Sequence, residues 1–220
     1  MNVYVVVEGR VVEKAVYTVW IPEVNRTLTP VAYITDVVEN NFLIVSGNGY
    51  PGYFNIIQAA FEDVANSARF DRLVVSVDSE DMTLEAKRAE VTAFIHALAH
   101  THIDWRLVIQ HFCFETWALG NRVIGSRNPK DARLRKYKQL YNVVTHDPEN
   151  LPALAEENLN RSQFAEKYLR LTLNDKNKNL TYSKRNPKVV AHPKYYAQVR
   201  RRTTETVHIQ SFRAFIDAFT

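Results

Sequence analysis

The apolar run Val3-Tyr4-Val5-Val6-Val7, closed by Glu8-Gly9, constrains this chain more than any other segment. Its length and β-branched content are those of a buried strand. Glycine permits a tight turn, and residues 11–20 then carry the pattern of a helix ending near Pro22. A strand that feeds a helix in this way delivers its last side chain, here a carboxylate, to the rim where α/β proteins place ligands. A second strand, Arg72-Leu-Val-Val-Ser-Val77, ends in Asp78-Ser79-Glu80-Asp81. In extended chain, positions two apart point the same way, so Asp78 and Glu80 can face one ion while Asp81 turns elsewhere. Hard divalent cations take oxygen ligands of this kind. The competing reading makes Glu8 and Asp78 helix caps or loop charges, which strand-to-helix turns also favour.

Further strands are expected at 42–45 and 106–110, with helices at 53–65 and 83–100. Residues 30–34 fit a short strand or a loop. The alternation predicts an α/β fold with a mainly parallel, four-stranded sheet flanked by helices. Beyond Asn121 the pattern changes. Residues 129–143 and 151–173 read as helical, with a break at His146-Asp147-Pro148, and 174–188 read as a polar loop. Ile209, Phe212, Phe215, Ile216 and Phe219 recur at helical spacing. That closing helix needs an apolar partner, so the C-terminal extension is expected to pack back on the body. The expected division is a catalytic unit at 1–121 and a basic, mostly helical region at 122–220.

Charge divides at the same place. Residues 1–121 hold 8 Lys and Arg against 15 Asp and Glu, a balance of −7. Residues 122–202 hold 19 against 7, a balance of +12. An acidic half beside a basic half suits a metal site next to a polyanion surface; solvated, lysine-rich helix faces are the plainer account. The basic positions put forward for nucleic acid are Arg122, Arg127, Lys130, Arg133, Lys184, Arg185, Arg200, Arg201 and Arg202. Tyr182, Tyr195 and Tyr196 lie among them, as base-stacking rings or as core. No run spans a bilayer and no basic stretch precedes an apolar core, so neither a membrane partner nor a signal peptide is expected. The single cysteine, Cys113, excludes an intrachain disulfide and suits a reducing cytoplasm.

Glu115 sits between Phe114 and Trp117 in an apolar stretch. A carboxylate there needs a metal, a basic partner or exposure at a helix start. With this segment the chain resembles the TOPRIM domain, the catalytic module of topoisomerases, DnaG primases and OLD-type nucleases. The resemblance runs through Glu8-Gly9 with Glu13 five positions on, the acidic Asp78-Ser79-Glu80, and Phe114-Glu115-x-Trp117. With Tyr182-x-Lys184 ahead of a closing helix, it points to the RloB-like, stand-alone branch associated with anti-phage loci. It is strong over 1–121 and weak afterwards.

The resemblance implies Mg²⁺- or Mn²⁺-dependent phosphodiester chemistry. Glu8, Asp78 and Glu80 would bind metal and act with Glu115 as catalytic residues; Glu13 and Asp81 are additional candidates. Glu80 stands where Asp is usual, and Val12 where Thr is common. The expected function is a nuclease effector of bacterial defence acting on DNA or RNA, partnered by an ATPase, with a homo-oligomer left open. The alternative is a non-catalytic nucleic-acid-binding or regulatory subunit on the same frame. Primase-type nucleotidyl transfer finds no supporting feature. His96 and His100, with His102 nearby, are one turn apart, a spacing that can bind zinc, but no Cys or acidic partner accompanies them. The loop at 47–52 lacks the Lys-Ser/Thr of a P-loop, and Cys113 reads as a small buried residue.

Overall fold

A computed structural model describes residues 1–99 and 102–220. The first half alternates strand and helix: β1 Val3–Val7, α1 Val12–Val24, β2 Thr29–Val31, β3 Asn41–Ser46, α2 Tyr53–Ser67, β4 Arg72–Asp78, α3 Leu84–His96 and β5 Trp105–Gln110. All strands are parallel, in the order β2-β3-β1-β4-β5. The sheet therefore has five strands where four were expected. The extra one comes from the ambiguous segment, where Thr29–Val31 pairs with Asn41–Leu43 at the sheet edge. An edge position accommodates Pro30, which has no N–H to give a neighbour.

The strand order fixes where a ligand site can form. From β1 the chain crosses to β2 and β3 on one side; after β4 it turns to β5 on the other. The C-terminal ends of β1 and β4 are thus neighbours whose following segments diverge, leaving a crevice at the rim.

Alternation along the strands serves two cores. Tyr4, Val6, Leu73, Val75 and Val77 pack with Tyr53, Ile57, Phe61, Val91 and Ile95 of α2 and α3. Val3, Val5, Val7 and Val74 pack instead with Trp20 of α1 and with the C-terminal half. That half contributes α4 Phe114–Ala118, α5 Ala132–Leu140, α6 Arg161–Lys176, α7 Pro193–Glu205 and α8 Ser211–Ala218. Phe212, Phe215 and Phe219 are fully buried around Trp20 and Trp117, so the closing helix does pack back on the body.

The helical expectation for 151–173 is corrected at its start. Residues 151–160 are irregular apart from a short 3-10 turn, Ala155–Glu157, because Leu154 and Leu159 close a small bridge. Asn160 then opens α6 with a capping box to Gln163. Helix α7 was not foreseen. Its mean composition is too polar to show an apolar stripe, although Tyr195, Tyr196 and Val199 are buried along it. Helix α1 runs through Pro22 and ends at Val24, two residues past it. Among the described residues, no helix is long and apolar enough to cross a membrane.

Candidate active site

Five carboxylates meet at the crevice. Glu8, Glu13, Asp78, Glu80 and Glu115, with Lys184 and Arg185, line one cavity of about 350 Å³. They come from the end of β1, the first turn of α1, the end of β4 and its turn, and the first turn of α4. Asp81 does not line it and is exposed.

The β1–β4 register sets Val7 against Ser76, so Glu8 falls opposite Val77, one position before Asp78. The ladder extends one step, with the Glu8 N–H on the Ser76 carbonyl at 3.0 Å. The Asp78 backbone N–H then donates to Glu8 Oε2 at 2.9 Å. Residues 8 and 78, separated by the whole of the first βα crossover pair, are thereby bound directly to each other.

Alternation places Glu8 on the α2–α3 side of the sheet and Asp78 on the α1 side. The electrostatics agree. Burial raises the Glu8 pKa and so does the charge of Glu80, while the Asp78 N–H, Lys87 and Lys184 oppose it. Burial also raises Asp78 well above the ordinary carboxylate range, reinforced by Glu13, Glu8 and Glu115. Asp78 and Glu80 nonetheless line the same cavity. Glu80 adopts a left-handed backbone (φ 50°), which breaks the extended run after Ser79. Ser79 anchors that break: its hydroxyl accepts from the Phe112 N–H at 2.8 Å and meets His111 Nδ1 at 3.0 Å.

Glu13 is 6% exposed, and burial pushes its carboxyl up to about 7, with Glu115 and Glu8 adding to the rise. The helix N-terminus favours a charge at this position. Gly9 makes room for it: a Cβ there would overlap the Glu13 carboxylate. The glycine after Glu8 thus serves close approach as well as the turn. The loop after β3 closes the near side, with the Gly49 N–H on the Glu8 carbonyl at 3.0 Å and Arg10 Nε on Asn48 Oδ1 at 2.9 Å.

Glu115 is 2% exposed, which excludes the open helix start considered for it. Its Oε1 accepts from the Tyr182 hydroxyl at 2.7 Å. Lys184 follows two residues on. Burial opposes its charge, but Glu115, Cys113 and Asp78 more than offset this and raise its pKa. Lys184, put forward for the nucleic-acid surface, is exposed and also lines the acidic cleft. The only signal for this was the Tyr182-x-Lys184 motif, whose tyrosine hydroxyl holds Glu115 and whose lysine lines the cleft.

Asp78 Oδ1 is buried and has no hydrogen-bond partner. An acceptor-only atom without a donor, amid other carboxylates, is the environment a cation satisfies. The donor set is all oxygen, as Mg²⁺ and Mn²⁺ require. In composition the residues fit such an ion. Among the described residues, however, no three His, Cys, Asp or Glu side chains stand ready to hold one.

Other expectations resolve differently. Arg202 is removed from the nucleic-acid surface: it is fully buried, and its guanidinium donates to the carbonyls of Val143 (2.7 Å) and His146 (2.6 Å). Tyr182, Tyr195 and Tyr196 are buried at 5%, 6% and 2% exposure, so they are core rings and not stacking platforms. Arg122 and Arg201 both pair with Glu205. Arg127, Lys130, Arg133, Arg185 and Arg200 stay at least partly exposed. Cys113 is buried. For the histidines, His96 packs edge-on against Trp105, and His100 lies outside the described residues. Compared with protein-family models, curated proteins and solved structures, the chain finds no match in any of the three.

Proposed function

We propose that this protein is a metal-dependent nuclease that cleaves phosphodiester bonds of DNA or RNA. The observation that carries the reading is the partnerless, buried Asp78 Oδ1 in a cleft lined by four further carboxylates. Glu8, Asp78 and Glu80 would hold Mg²⁺ or Mn²⁺, with Glu13 and Glu115 adjoining. A divalent cation bound there supplies charge neutralisation and Lewis acidity at a phosphoryl group. The chain's own residues do the rest. The Asp78 N–H orients Glu8, the Tyr182 hydroxyl fixes Glu115, and the Lys184 ammonium offers a cation to an incoming phosphate. Arg122, Arg127, Lys130, Arg133, Arg185, Arg200 and Arg201 would supply sequence-independent phosphate contacts. The TOPRIM resemblance supports the same chemistry. It alone suggests a defence-locus setting and an ATPase partner.

The test is Mn²⁺-dependent cleavage of plasmid and single-stranded RNA by the wild type, Glu8→Gln and Asp78→Asn. Each substitution should lower the rate by about 100-fold or more. Cleavage indifferent to both changes removes the enzyme reading from these residues. A non-catalytic binding subunit is the second reading. It is favoured by the absence, among the described residues, of three side chains poised round one ion. Calorimetry with Mn²⁺ separates the two: oligonucleotide binding without any Mn²⁺ binding supports the subunit.

A further inference from the structure

A second cavity, of about 270 Å³, opens between α5, α6 and the segment that carries Tyr182. Its lining holds Arg133, Lys167 and Arg170, with Asn174 and Thr181 as neutral polar groups, and no carboxylate. Lys167 is committed to Glu157 at 2.7 Å. Among the described residues Arg133 and Arg170 make no hydrogen bond or close ion pair, although Arg133 lies near enough to Glu157 to help lower its pKa. Two unpaired guanidiniums facing one concavity are a planar, multidentate receptor for an oxyanion. Leu171, Leu180 and the ring of Tyr182 form an apolar wall beside them.

One member of that wall also touches a residue of the acidic cleft. Tyr182 lines the cationic cavity, while its hydroxyl holds Glu115 of the acidic cleft at 2.7 Å. Lys184 and Arg185, two and three residues on, line the cleft itself. The Tyr182 side chain thus contacts the linings of both cavities.

We propose that this cavity is a phosphate subsite, which grips a backbone phosphate of the nucleic-acid strand whose neighbouring phosphodiester lies in the acidic cleft. The second half of that statement rests on the nuclease reading; the first does not. The subsite gives register along the strand without reading bases.

The experiment measures binding of a fluorescent, short single-stranded oligonucleotide, as DNA and as RNA, over a salt series in EDTA. EDTA keeps any cation in the acidic cleft from contributing. Arg133→Ala/Arg170→Ala is compared with Arg26→Ala/Arg88→Ala, an equal loss of charge at exposed sites outside both cavities. We expect about 10-fold weaker binding per pocket arginine. The slope of log affinity against log salt should shrink by about one for each. The Arg133→Lys/Arg170→Lys variant should recover the slope but not the affinity, because a point charge lacks the fork. If the pocket variant behaves like the control, or the wild type binds no oligonucleotide, the subsite is overturned. If the arginine dependence holds while the wild type never cleaves, the subsite stands and the nuclease reading falls.

Discussion

One face of the sheet is covered by α2 and α3, helices that directly join the strands they pack on. The other is covered by α1 and by helices drawn from the far end of the chain. The first core is local and closes within residues 1–109. The second cannot close without Phe164, Val199, Phe212 and Phe215. The C-terminal region is therefore the missing layer of an α/β sandwich rather than an appendage. Through that layer Tyr182 and Lys184 reach the acidic cleft. The largest expected effect follows. Residues 1–121 alone would expose Val3, Val5, Val7 and Trp20 to water, and each such side chain loses about 2 kcal/mol of burial. That fragment should lack a cooperative melt and bind a hydrophobic dye. A sharp thermal transition for it would show the two faces to be independent.

Two adjacent arginines sharpen the contrast between buried layer and surface. Arg202 sits inside the second core, where its guanidinium also reaches His208 Nδ1 at 2.9 Å. Burial and the charge of Arg122 push its pKa down to about 10, so it remains charged at neutral pH. Arg202→Met should cost about 3 kcal/mol, since it leaves the Val143 and His146 carbonyls without donors. Arg201→Ala removes only an exposed pair with Glu205 and should cost under about 1 kcal/mol. Urea melts of both variants check the ratio. Equal effects would mean that the second core does not depend on its polar anchor.

The same contrast explains what the sequence discloses. The βα half is written in short-range signals: β-branched runs, a glycine after Glu8, and acidic residues at strand ends. Register then brings Glu8 to Asp78 with no further information. Glu80 lines the cleft with Asp78 even though its left-handed backbone breaks the two-residue period from which that pairing was read. The other half is held by long-range polar contacts that leave no local pattern. Nothing near Arg202 marks it as buried, since its partners lie in another segment and its neighbours Arg200 and Arg201 are basic too. Lys184 is a surface cation, as its sequence context suggests, but nothing local shows that the fold also sets it near Glu115 and Asp78. Helix α7 hides for a similar reason, its buried Tyr195, Tyr196 and Val199 being outnumbered by polar and basic neighbours such as Lys194, Arg200 and Arg201.

The smallest effect concerns how the returning helix is pinned to the second face. Glu149 is 7% exposed and accepts from the Ser211 N–H at 3.1 Å and from the Ser211 hydroxyl. The same hydroxyl accepts from Trp117 Nε1 at 2.6 Å. Burial pushes the Glu149 carboxyl up from 4.5 to about 7, with Asp147 adding to the rise and Ser211 opposing it. Between these values the folded chain holds a proton that the unfolded chain releases. Stability must then fall as pH rises from about 4.5 to about 7, by on the order of 2 kcal/mol for this group. Glu8, Glu13 and Asp78 are raised as well and contribute slopes of the same sign. The comparison must therefore be between wild type and Glu149→Gln, whose amide oxygen still accepts from the Ser211 N–H. The variant should lose about that much of the slope in urea midpoint between pH 5 and pH 8, and gain on the wild type at the alkaline end. An unchanged slope would show that Glu149 keeps its charge on folding, and that the α8 anchor is as tolerant of ionisation as an exposed helix cap.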